Sequence, residues 1–437
     1  MGEPESLADR LRRLRRDGVP EQPAPKAPVP APLVLPRHLT RRLDRDRAPS
    51  DLAARATVGP PRDLVRANGA WERVEHHRGS HVHGRVQLDD ALSASVTTLA
   101  LTARDPVLEA FDPARAVYLD IEATGLSGGS GTYPYLVALA RRRADGWELW
   151  QGFMASPDEE PALLREVAER IADAGQMVTF FGKTYDRHRL EDKMRHHRIA
   201  PPFAGCLHLD LYHPLKRLYD GAEANGKLQT HERVLCGYER VDDLSGAYAP
   251  MAWFDFVADR PHLLEEVFRH NAADVLSLIA LTAHLGRTLD PADGLSGSAP
   301  HRERGLGRVL AQVGRHTEAA ERLERASELF DGSGERARTD APSESARLRF
   351  EAARAFERAG AWERARVLHT RLAEDDGGDD LVAALALERL GLRCRREKRI
   401  DEARDFERRA CERLRDVRAS REKAQLSERL VARLVRS

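Results

Sequence analysis

The feature that most constrains the fold is the run of residues 116–126, AVYLDIEATGL, in which acidic residues interrupt an apolar stretch. Successive side chains of a β-strand point to opposite faces, so Leu119 and Ile121 would point into a core while Asp120 and Glu122 share the other face. Both acids lie in the middle of the strand. Two converging carboxylates repel each other unless a cation joins them, so the run predicts either a site for a hard divalent ion such as Mg²⁺ or an exposed acidic face.

Length and composition narrow the class of protein. The chain of 437 residues predicts about two or three domains, and Lys plus Arg and Asp plus Glu each number 70, so the net charge is zero. Any binding of nucleic acid must therefore come from local patches of charge. Four cysteines without a Cys-x-x-Cys pair favour a reducing cytoplasm. The chain shows no apolar signal region and no run of about eighteen apolar residues, so we expect a cytoplasmic protein that does not enter a membrane.

The N-terminal part divides into two segments. Residues 1–60 combine an arginine-rich stretch with the run PEQPAPKAPVPAP, which is typical of polyproline II and predicts disorder. The arginines would be solvated or would contact phosphates. Residues 61–110 contain the short runs WERVEHH and HVHGRVQL, which predict an accessory β region. Its clustered histidines raise the possibility of a metal site, although no cysteine lies nearby to complete the set that zinc prefers. These histidines are His76, His77, His81 and His83.

Residues 111–292 alternate between strand-like and helix-like patterns. After the first strand, LVALARR and WELWQGFM predict two further antiparallel strands. Helices and strands then alternate up to a final helix at HLLEEVFRHNAADVLSLIALTAHLG. The order predicts an α/β domain with a mixed sheet. The glycine-rich segment GLSGGSGTYPY joins strand to strand with no helix behind it, so we interpret it as a rim of the site and not as a phosphate-binding loop.

A long segment before the final helix, GKLQTHERVLCGYERVDDLSGAYAPMAWFDF, has no regular period and predicts an insertion over one face. Long irregular loops inside compact domains often act as lids or binding loops. Lys227, Arg233 and Arg240 are therefore candidate substrate contacts, with surface solvation as the alternative for each.

Residues 298–437 are rich in Ala, Arg, Glu and Leu and repeat one register of small and apolar residues, starting at Leu306, Ala352 and Leu390. The register resembles the tetratricopeptide repeat, a helix-turn-helix unit that stacks into a solenoid. We expect these repeats to bind a protein partner and to be separable from the α/β domain. The alternatives are a helical cap without a partner and a channel wall whose arginines contact phosphates. The arginines in question are Arg302, Arg304 and Arg308.

Two further motifs add acids on other elements of the α/β domain. FFGKTYD places Asp186 after a strand, and HNAAD places Asp274 on the final helix. With Asp120 and Glu122 they make four carboxylates, enough to hold two Mg²⁺ or Mn²⁺ ions about 3.5–4 Å apart for phosphodiester hydrolysis. His270 lies one helical turn before Asp274 on the same face and is suited to take a proton from water near neutral pH.

Together, DIEATGL, FFGKTYD and HNAADVLSL resemble the three motifs of the DEDD exonucleases of the ribonuclease H-like superfamily. The resemblance is greatest to the YprB-type ribonuclease H-like proteins, which carry C-terminal tetratricopeptide repeats, and it covers residues 64–290. It implies a 3′-to-5′ exonuclease that uses two Mg²⁺ or Mn²⁺ ions on DNA or RNA. The metal ligands that it implies are Asp120, Glu122, Asp186 and Asp274, with His270 as the base.

The sequence departs from that family at two positions. Phe181 stands five residues before Asp186, where the family usually has Asn, which predicts a missing polar contact and weaker activity. His270 stands four residues before Asp274, where one subclass has Tyr and another places His five positions away. Asp210 is either a further site residue or the cap of the next helix. The rival hypothesis is an inactive scaffold of nuclease fold whose repeats bind a protein partner.

Overall fold

The computed structural model describes residues 54–125, 132–241, 243–290, 299–332, 341–375, 379–415 and 417–436. The chain divides into Met1–Ala54 and a compact unit, Arg55–Ser437, and the second unit is described here. Most of the N-terminal segment predicted to be disordered lies outside the described residues. So do residues 126–131 of the glycine-rich segment.

A seven-stranded mixed sheet forms the centre of the α/β domain, with the strand order β1-β2-β7-β6-β5-β8-β9. The strands are β1 (Val65–Ala67), β2 (Ala70–His77), β3 (Val82–His83), β4 (Val86–Gln87), β5 (Val117–Ala123), β6 (Pro134–Arg143), β7 (Gly146–Phe153), β8 (Gln176–Thr179) and β9 (Leu207–Asp210). β5, β6 and β7 are antiparallel neighbours, whereas β8 and β9 extend the sheet in parallel. β3 and β4 form a separate pair. This confirms the predicted mixed sheet.

Strand β5 lies inside the sheet because its side chains are almost all apolar or shielded. It pairs with β6 from Val117 to Ala123, but with β8 only at Val117 and Tyr118. Asp120 and Glu122 therefore lie beyond the end of β8, where the sheet is open on one side. Openings at the carboxyl ends of parallel strands are the usual place for ligands in α/β sheets.

Helices cover the sheet and build the C-terminal region. They are α1 (Val96–Ala103), α2 (Glu160–Ala174), α3 (Asp186–His196), α4 (Tyr212–Tyr219), α5 (Leu228–His231), α6 (Ala249–Val257), α7 (Leu264–Arg287), α8 (Ala299–Gln312), α9 (His316–Gly332), α10 (Ala341–Arg358), α11 (Trp362–Glu374), α12 (Asp380–Arg396), α13 (Ile400–Arg413) and α14 (Arg421–Arg436). The long helix α7 is buried along most of its length and packs on β5 and β6. α5, α6 and a π-helical turn, Glu232–Cys236, lie in the segment predicted to be an irregular insertion, so part of it is helical.

The region predicted as an accessory β region contributes to the main sheet. β2 pairs with β7 along its length, from Trp71 opposite Phe153 to His77 opposite Trp147. The rest of that region is largely helical, with α1 flanked by the 3₁₀ turns Leu88–Ser93 and Pro106–Ala110. The segment that precedes it is also anchored, since the backbones of Thr57 and His262 exchange two hydrogen bonds of 2.9 Å.

The C-terminal helices form antiparallel pairs, α8 with α9, α10 with α11 and α12 with α13, in the register that the sequence repeats. Small residues lie where the paired helices cross: a Cβ at Gly307 would be 2.6 Å from the Leu323 side chain, and one at Gly391 would be 3.3 Å from the Ala403 carbonyl. The helix pairs agree with a solenoid of two-helix units, and their assignment as tetratricopeptide repeats stays a prediction.

Two polar residues at core positions of the repeats are fully buried with partners. His369 contacts Glu357 at 2.8 Å, and Glu407 accepts hydrogen bonds of 2.7 and 2.6 Å from Arg395. These positions depart from the repeat pattern in residue type but keep its burial.

The first repeat helix packs directly on the α/β domain. A Cβ at Gly305 would lie 2.5 Å from the Leu218 Cα, and Leu306 is part of the core of the α/β domain. These contacts argue against the expected separability of the repeats.

The arginines that we considered as a channel wall have carboxylate partners. Arg302 contacts Glu303 at 3.3 Å, Arg304 contacts Glu344 at 2.9 Å and Arg308 contacts Glu351 at 2.7 Å. Their pairing does not favour the channel-wall alternative. Within the described part of the chain, no helix combines the length and the apolar character needed to cross a membrane.

Candidate active site

The acids predicted on three different elements meet at the open end of β5. β5 presents Asp120 and Glu122, both partly buried, while Leu119 and Ile121 on its other face are 0% and 7% exposed. This is the two-residue alternation expected of a strand. The strand therefore supplies two carboxylates at fixed spacing on a rigid support.

The other two acids come from helices that approach this strand. Asp186 is the first residue of α3, and Asp274 lies in the middle of α7; both are buried. One ligand atom each of Glu122, His270 and Asp274 lies within 4.8 Å of the others. The structure thus brings Glu122, His270 and Asp274 together and places the other two acids near enough to interact with them electrostatically.

Burial and mutual repulsion raise the pKa values of these carboxyls. The pKa of Asp120 lies well above its ordinary value because of burial and the charges of Asp274, Asp186 and Glu122. Burial raises the pKa of Glu122 to about 8, against an opposing effect of His270. Burial and the charges of Asp210 and Asp274 raise the pKa of Asp186 to about 8. These carboxyls resist ionisation because too little positive charge lies near them. A hard divalent cation, which prefers oxygen ligands, would supply that charge.

His270 is held by a carboxylate that the sequence did not single out. Its Nδ1 donates to the Asp243 carboxylate, 2.8 Å from Oδ1 and 3.0 Å from Oδ2. Its Nε2 lies 3.5 Å from Asp274 Oδ2. Burial would lower the pKa of His270, but the hydrogen bond with Asp243 and the charges of Asp274 and Glu122 raise it to about 9. Asp243 lies in the aperiodic insertion, where sequence gives no signal of its partner.

Arg240 reaches the same cluster. Its guanidinium pairs with Asp274 and, through Nε at 2.6 Å and Nη2 at 2.8 Å, with Glu232. These two acids raise the pKa of Arg240 even though burial opposes them. Of the three cations proposed as substrate contacts, Arg240 contacts the acids, whereas the Lys227 and Arg233 side chains are exposed.

Asn271 is a second residue whose role the sequence did not reveal. Its Nδ2 donates to Asp120 Oδ2 at 2.7 Å, and its Oδ1 accepts from Gln151 Nε2 at 3.1 Å. Asn271 and Gln151 are both fully buried. Asn271 lies three residues before Asp274 on α7, so its spacing was a signal that it shares the face of that acid.

Asp210 holds the loop that leads from β8 to Asp186. Its carboxylate accepts from the backbone N–H groups of Phe181 at 2.8 Å and Lys183 at 3.0 Å, and from that of Tyr212 at 3.1 Å. Asp210 therefore binds the first N–H of α4, whose N-cap residue is Leu211, and also holds the loop that presents Asp186. Phe181 adopts a positive φ of 65°, and its ring, 41% exposed, packs against Tyr212 with centroids 4.8 Å apart. A phenyl ring has no polar atom, so it cannot supply the contact of the Asn usual at this position.

The histidines of residues 76–83 form no such cluster. His83 contacts Ser277 Oγ at 2.8 Å and stacks on Tyr238, with ring centroids 3.7 Å apart. Among the described residues, the group around Glu122 is the one arrangement of three or more potential ligands close enough to hold a metal ion.

Comparisons with known proteins support the fold of this domain. Residues 117–286 match the model of a family described as RNase_H superfamily. Over 216 residues the chain is 32% identical to the uncharacterized protein YprB of Bacillus subtilis (strain 168), a match that covers 48% of this chain and 51% of that relative. The chain thus spans about half the length of the relative. The predicted ribonuclease H-like fold is confirmed, and the C-terminal region is helical as predicted.

Proposed function

We propose that the α/β domain, residues 111–292, is a divalent-metal-dependent nuclease that hydrolyses phosphodiester bonds of DNA or RNA, in the 3′-to-5′ exonuclease mode that its motifs resemble. The observation that supports this proposal is the approach of the Glu122, His270 and Asp274 ligand atoms to within 4.8 Å of one another. Asp120 and Asp186 complete the acidic cluster. Perturbed carboxyls that converge in an opening of the sheet are typical of functional sites.

The four acids Asp120, Glu122, Asp186 and Asp274 would hold Mg²⁺ or Mn²⁺. When bound, two such ions would supply positive charge that activates water and offsets the charge that develops on the phosphate oxygens. Asn271 orients the Asp120 carboxylate by donating to one of its oxygens. Such supporting donors keep a ligand pointing in one direction.

The hydrogen bond with Asp243 and the charges of Asp274 and Glu122 raise the pKa of His270 to about 9, so the ring would act as a base only when bound ions offset the charges of these acids. His270 would then take the proton from the attacking water. Asp243 binds Nδ1, which leaves Nε2 on the side of Asp274 and of the acid cluster. An imidazole fixed at one nitrogen presents the other in a defined orientation, which is what proton transfer requires.

The rival function, an inactive scaffold, also has a specific observation in its favour. Arg240 pairs with Asp274, so one of the acids already has a positive partner within the chain. In an inactive protein this ion pair would persist and take the place of a metal. In the nuclease that we propose, Arg240 would turn from Asp274 to a phosphate of the substrate, as its guanidinium geometry allows.

Cleavage assays with a matched pair of variants test the proposal. Purified protein is incubated with end-labelled single- and double-stranded DNA and RNA in Mn²⁺ or EDTA. We expect Mn²⁺-dependent cleavage that Asp120→Asn removes for the most part, because one ligand charge is lost. Asp145→Asn is the control, since Asp145 is exposed in the turn between β6 and β7, at the other end of β6 from the site.

Two results would decide against the nuclease. The first is full Mn²⁺-dependent turnover by pure Asp120→Asn protein, which would place the chemistry elsewhere. The second is the absence of cleavage of every substrate together with unchanged melting in Mn²⁺, which would favour the scaffold.

A further inference from the structure

An arginine-lined groove lies in the C-terminal helices, outside the site described above. It has a volume of about 230 Å³ and is formed by α10, α12 and the start of α11. Five arginines line it: Arg354, Arg358, Arg389, Arg393 and Arg396. A single carboxylate, Glu357, lines it with them, so the groove has a clear excess of positive charge.

The spacing of these arginines explains why they face one another. Arg354 and Arg358 are four residues apart on α10, and the three arginines of α12 lie at intervals of four and three residues. Residues three and four apart share one face of a helix. The two helices therefore present two rows of guanidinium groups to the same groove, although the chain as a whole has no net charge.

Buried contacts hold part of the groove in place. The Glu357 carboxylate accepts hydrogen bonds from Arg389 at 3.0 and 2.5 Å and from Arg354 at 2.6 Å, and His369 lies 2.8 Å from it. Burial lowers the pKa of Arg354, and so do the neighbouring charges of Arg389 and Arg358. Arg393 pairs instead with Glu397 at 2.5 Å, so the positive charge of the groove that no carboxylate offsets lies with the outer arginines.

The outer arginines retain unused charge. The side chains of Arg358 and Arg396 are exposed, and neither has a carboxylate partner among the residues that the structure describes. The half-buried ring of Trp362 lies beside them in the groove, with the Arg393 guanidinium 5.1 Å from its centroid. The groove therefore offers cations for phosphates and a partly exposed indole ring, one face of which Arg393 already covers.

We propose that this groove binds the sugar-phosphate backbone of a single-stranded nucleic acid. Guanidinium groups combined with an aromatic stacking surface are the usual elements of single-strand binding. An acidic polypeptide would match the charge but has no bases to use the Trp362 ring. The inference rests on the proposed function for the class of ligand, and it adds a second binding site formed by residues other than those of the acidic cluster.

Binding is measured with the full chain carrying Asp120→Asn, in EDTA, so that cleavage does not interfere. The probe is a fluorescent oligothymidylate, and its anisotropy gives Kd at several salt concentrations. We expect Arg358→Gln with Arg396→Gln to raise Kd about tenfold and to reduce the salt slope by about 1.4, since each lost contact with a single strand is worth about 0.7. The control pair, Arg366→Gln with Arg408→Gln, removes the same charge from exposed positions of α11 and α13 and should change Kd less than twofold.

Three outcomes would overturn the proposal that the groove binds single-stranded nucleic acid. They are no binding of oligothymidylate by the parent protein, equal losses in the test and control pairs, and loss of polyglutamate binding in the test pair with oligonucleotide binding intact. The last would assign the groove to an acidic protein partner. The two proposals can fail separately. If the test pair loses binding but the wild-type chain does not cleave, only the nuclease proposal is refuted. If the wild-type chain cleaves but the test pair binds normally, only the groove proposal is refuted.

Discussion

At the scale of single residues, the direction of a pKa shift separates two kinds of buried carboxylate. Glu357 lies among arginines and a histidine, and its pKa falls to about 2 because hydrogen bonds from His369 and Arg389 outweigh burial. Glu122 lies among other acids, and burial raises its pKa to about 8. The first kind stabilises the fold through existing partners. The second kind lacks sufficient positive charge in the chain itself, which is why we assign it to a ligand site.

Asp243 should act on the reaction through His270. We expect His270→Ala to slow cleavage by about 10²–10⁴-fold, the usual contribution of a positioned base. Asp243→Asn should lower kcat by about tenfold or more and leave KM nearly unchanged, because it frees the ring without touching substrate. Asp243→Glu, which keeps a carboxylate, should retain more activity.

A double-mutant cycle, with cleavage rates measured in Mn²⁺, tests whether Asp243 acts through His270. In the His270→Ala background, Asp243→Asn should cause no further loss, since its partner is gone. The control is Asp255→Asn on α6, where Asp255 pairs with Arg260 at 2.8 Å. Additive losses in the double variant would show that Asp243 acts independently of His270.

The contribution of Glu357 to the free energy of unfolding depends on pH. The folded-state pKa of about 2 lies below the ordinary 4.5, so the contribution is fully present above pH 4.5 and is lost as the pH falls toward 2. Glu357→Gln should therefore lower the free energy of unfolding by about 2–3 kcal/mol at pH 7. The difference from the wild-type chain should shrink steadily between pH 4.5 and 3.

Urea unfolding at a series of pH values measures that difference. Glu363→Gln is the control, because the Glu363 side chain is 76% exposed on the adjacent helix. A loss for Glu357→Gln that stays constant from pH 7 to 3 would contradict the assignment of the effect to ionisation.

At the scale of elements, the loop between β8 and α3 sets the position of Asp186. A Cβ at Gly182 would lie 2.5 Å from the Thr179 side chain and 2.8 Å from Asp186 Oδ2. We expect Gly182→Ala to cost about 1–3 kcal/mol of stability, as overpacking usually does, and to weaken Mn²⁺ binding by displacing Asp186. Thermal melts and Mn²⁺ titrations measure the two effects. Gly332→Ala is the control, since a Cβ there meets nothing within 4 Å, and equal behaviour of the two variants would contradict the prediction.

Periodicity allowed the strands and helices of residues 116–287 outside the insertion to be predicted, because a buried strand and an amphipathic helix each impose a spacing on apolar residues. The helices within the insertion were not predicted. The place of β2 in the main sheet could not be predicted in this way. Its partner β7 begins 69 residues after the end of β2, and strand pairing over such a separation leaves no local pattern.

The predicted acids were recognised by motif and spacing. Asp243 was not singled out, and Arg240 was predicted as a substrate contact but not as a partner of Asp274. Both lie in the aperiodic insertion, and their contacts with His270 and Asp274 depend on how that segment crosses α7. Asn271 could have been placed from its spacing to Asp274. The contacts that depend on the conformation of this insertion are therefore the part of the site that could not be predicted from the sequence.

At the scale of the whole molecule, the repeats and the α/β domain share a core. We expect a chain that ends at Asp290 to melt about 5 °C or more below one that ends at Gly332, because the shorter chain loses the burial of Leu306 and uncovers Leu218. Both chains should retain the acidic cluster and cleave short oligonucleotides. Circular dichroism melts of the two chains, with the full chain as reference, measure the difference. Equal melting temperatures would restore the original expectation that the repeats are separable.

The close contact of Gly305 with the backbone of α4 also bears on the distance between the arginine groove and the acidic cluster. Helices packed this closely do not slide past one another, so we expect the arginine groove to keep one distance from the acidic cluster. A nucleic-acid strand that is bound in the groove and cut at the acidic cluster would have to be long enough to span that distance. Cleavage of a series of oligonucleotides should then fall sharply below one chain length, and that threshold should vanish when Arg358 and Arg396 are replaced.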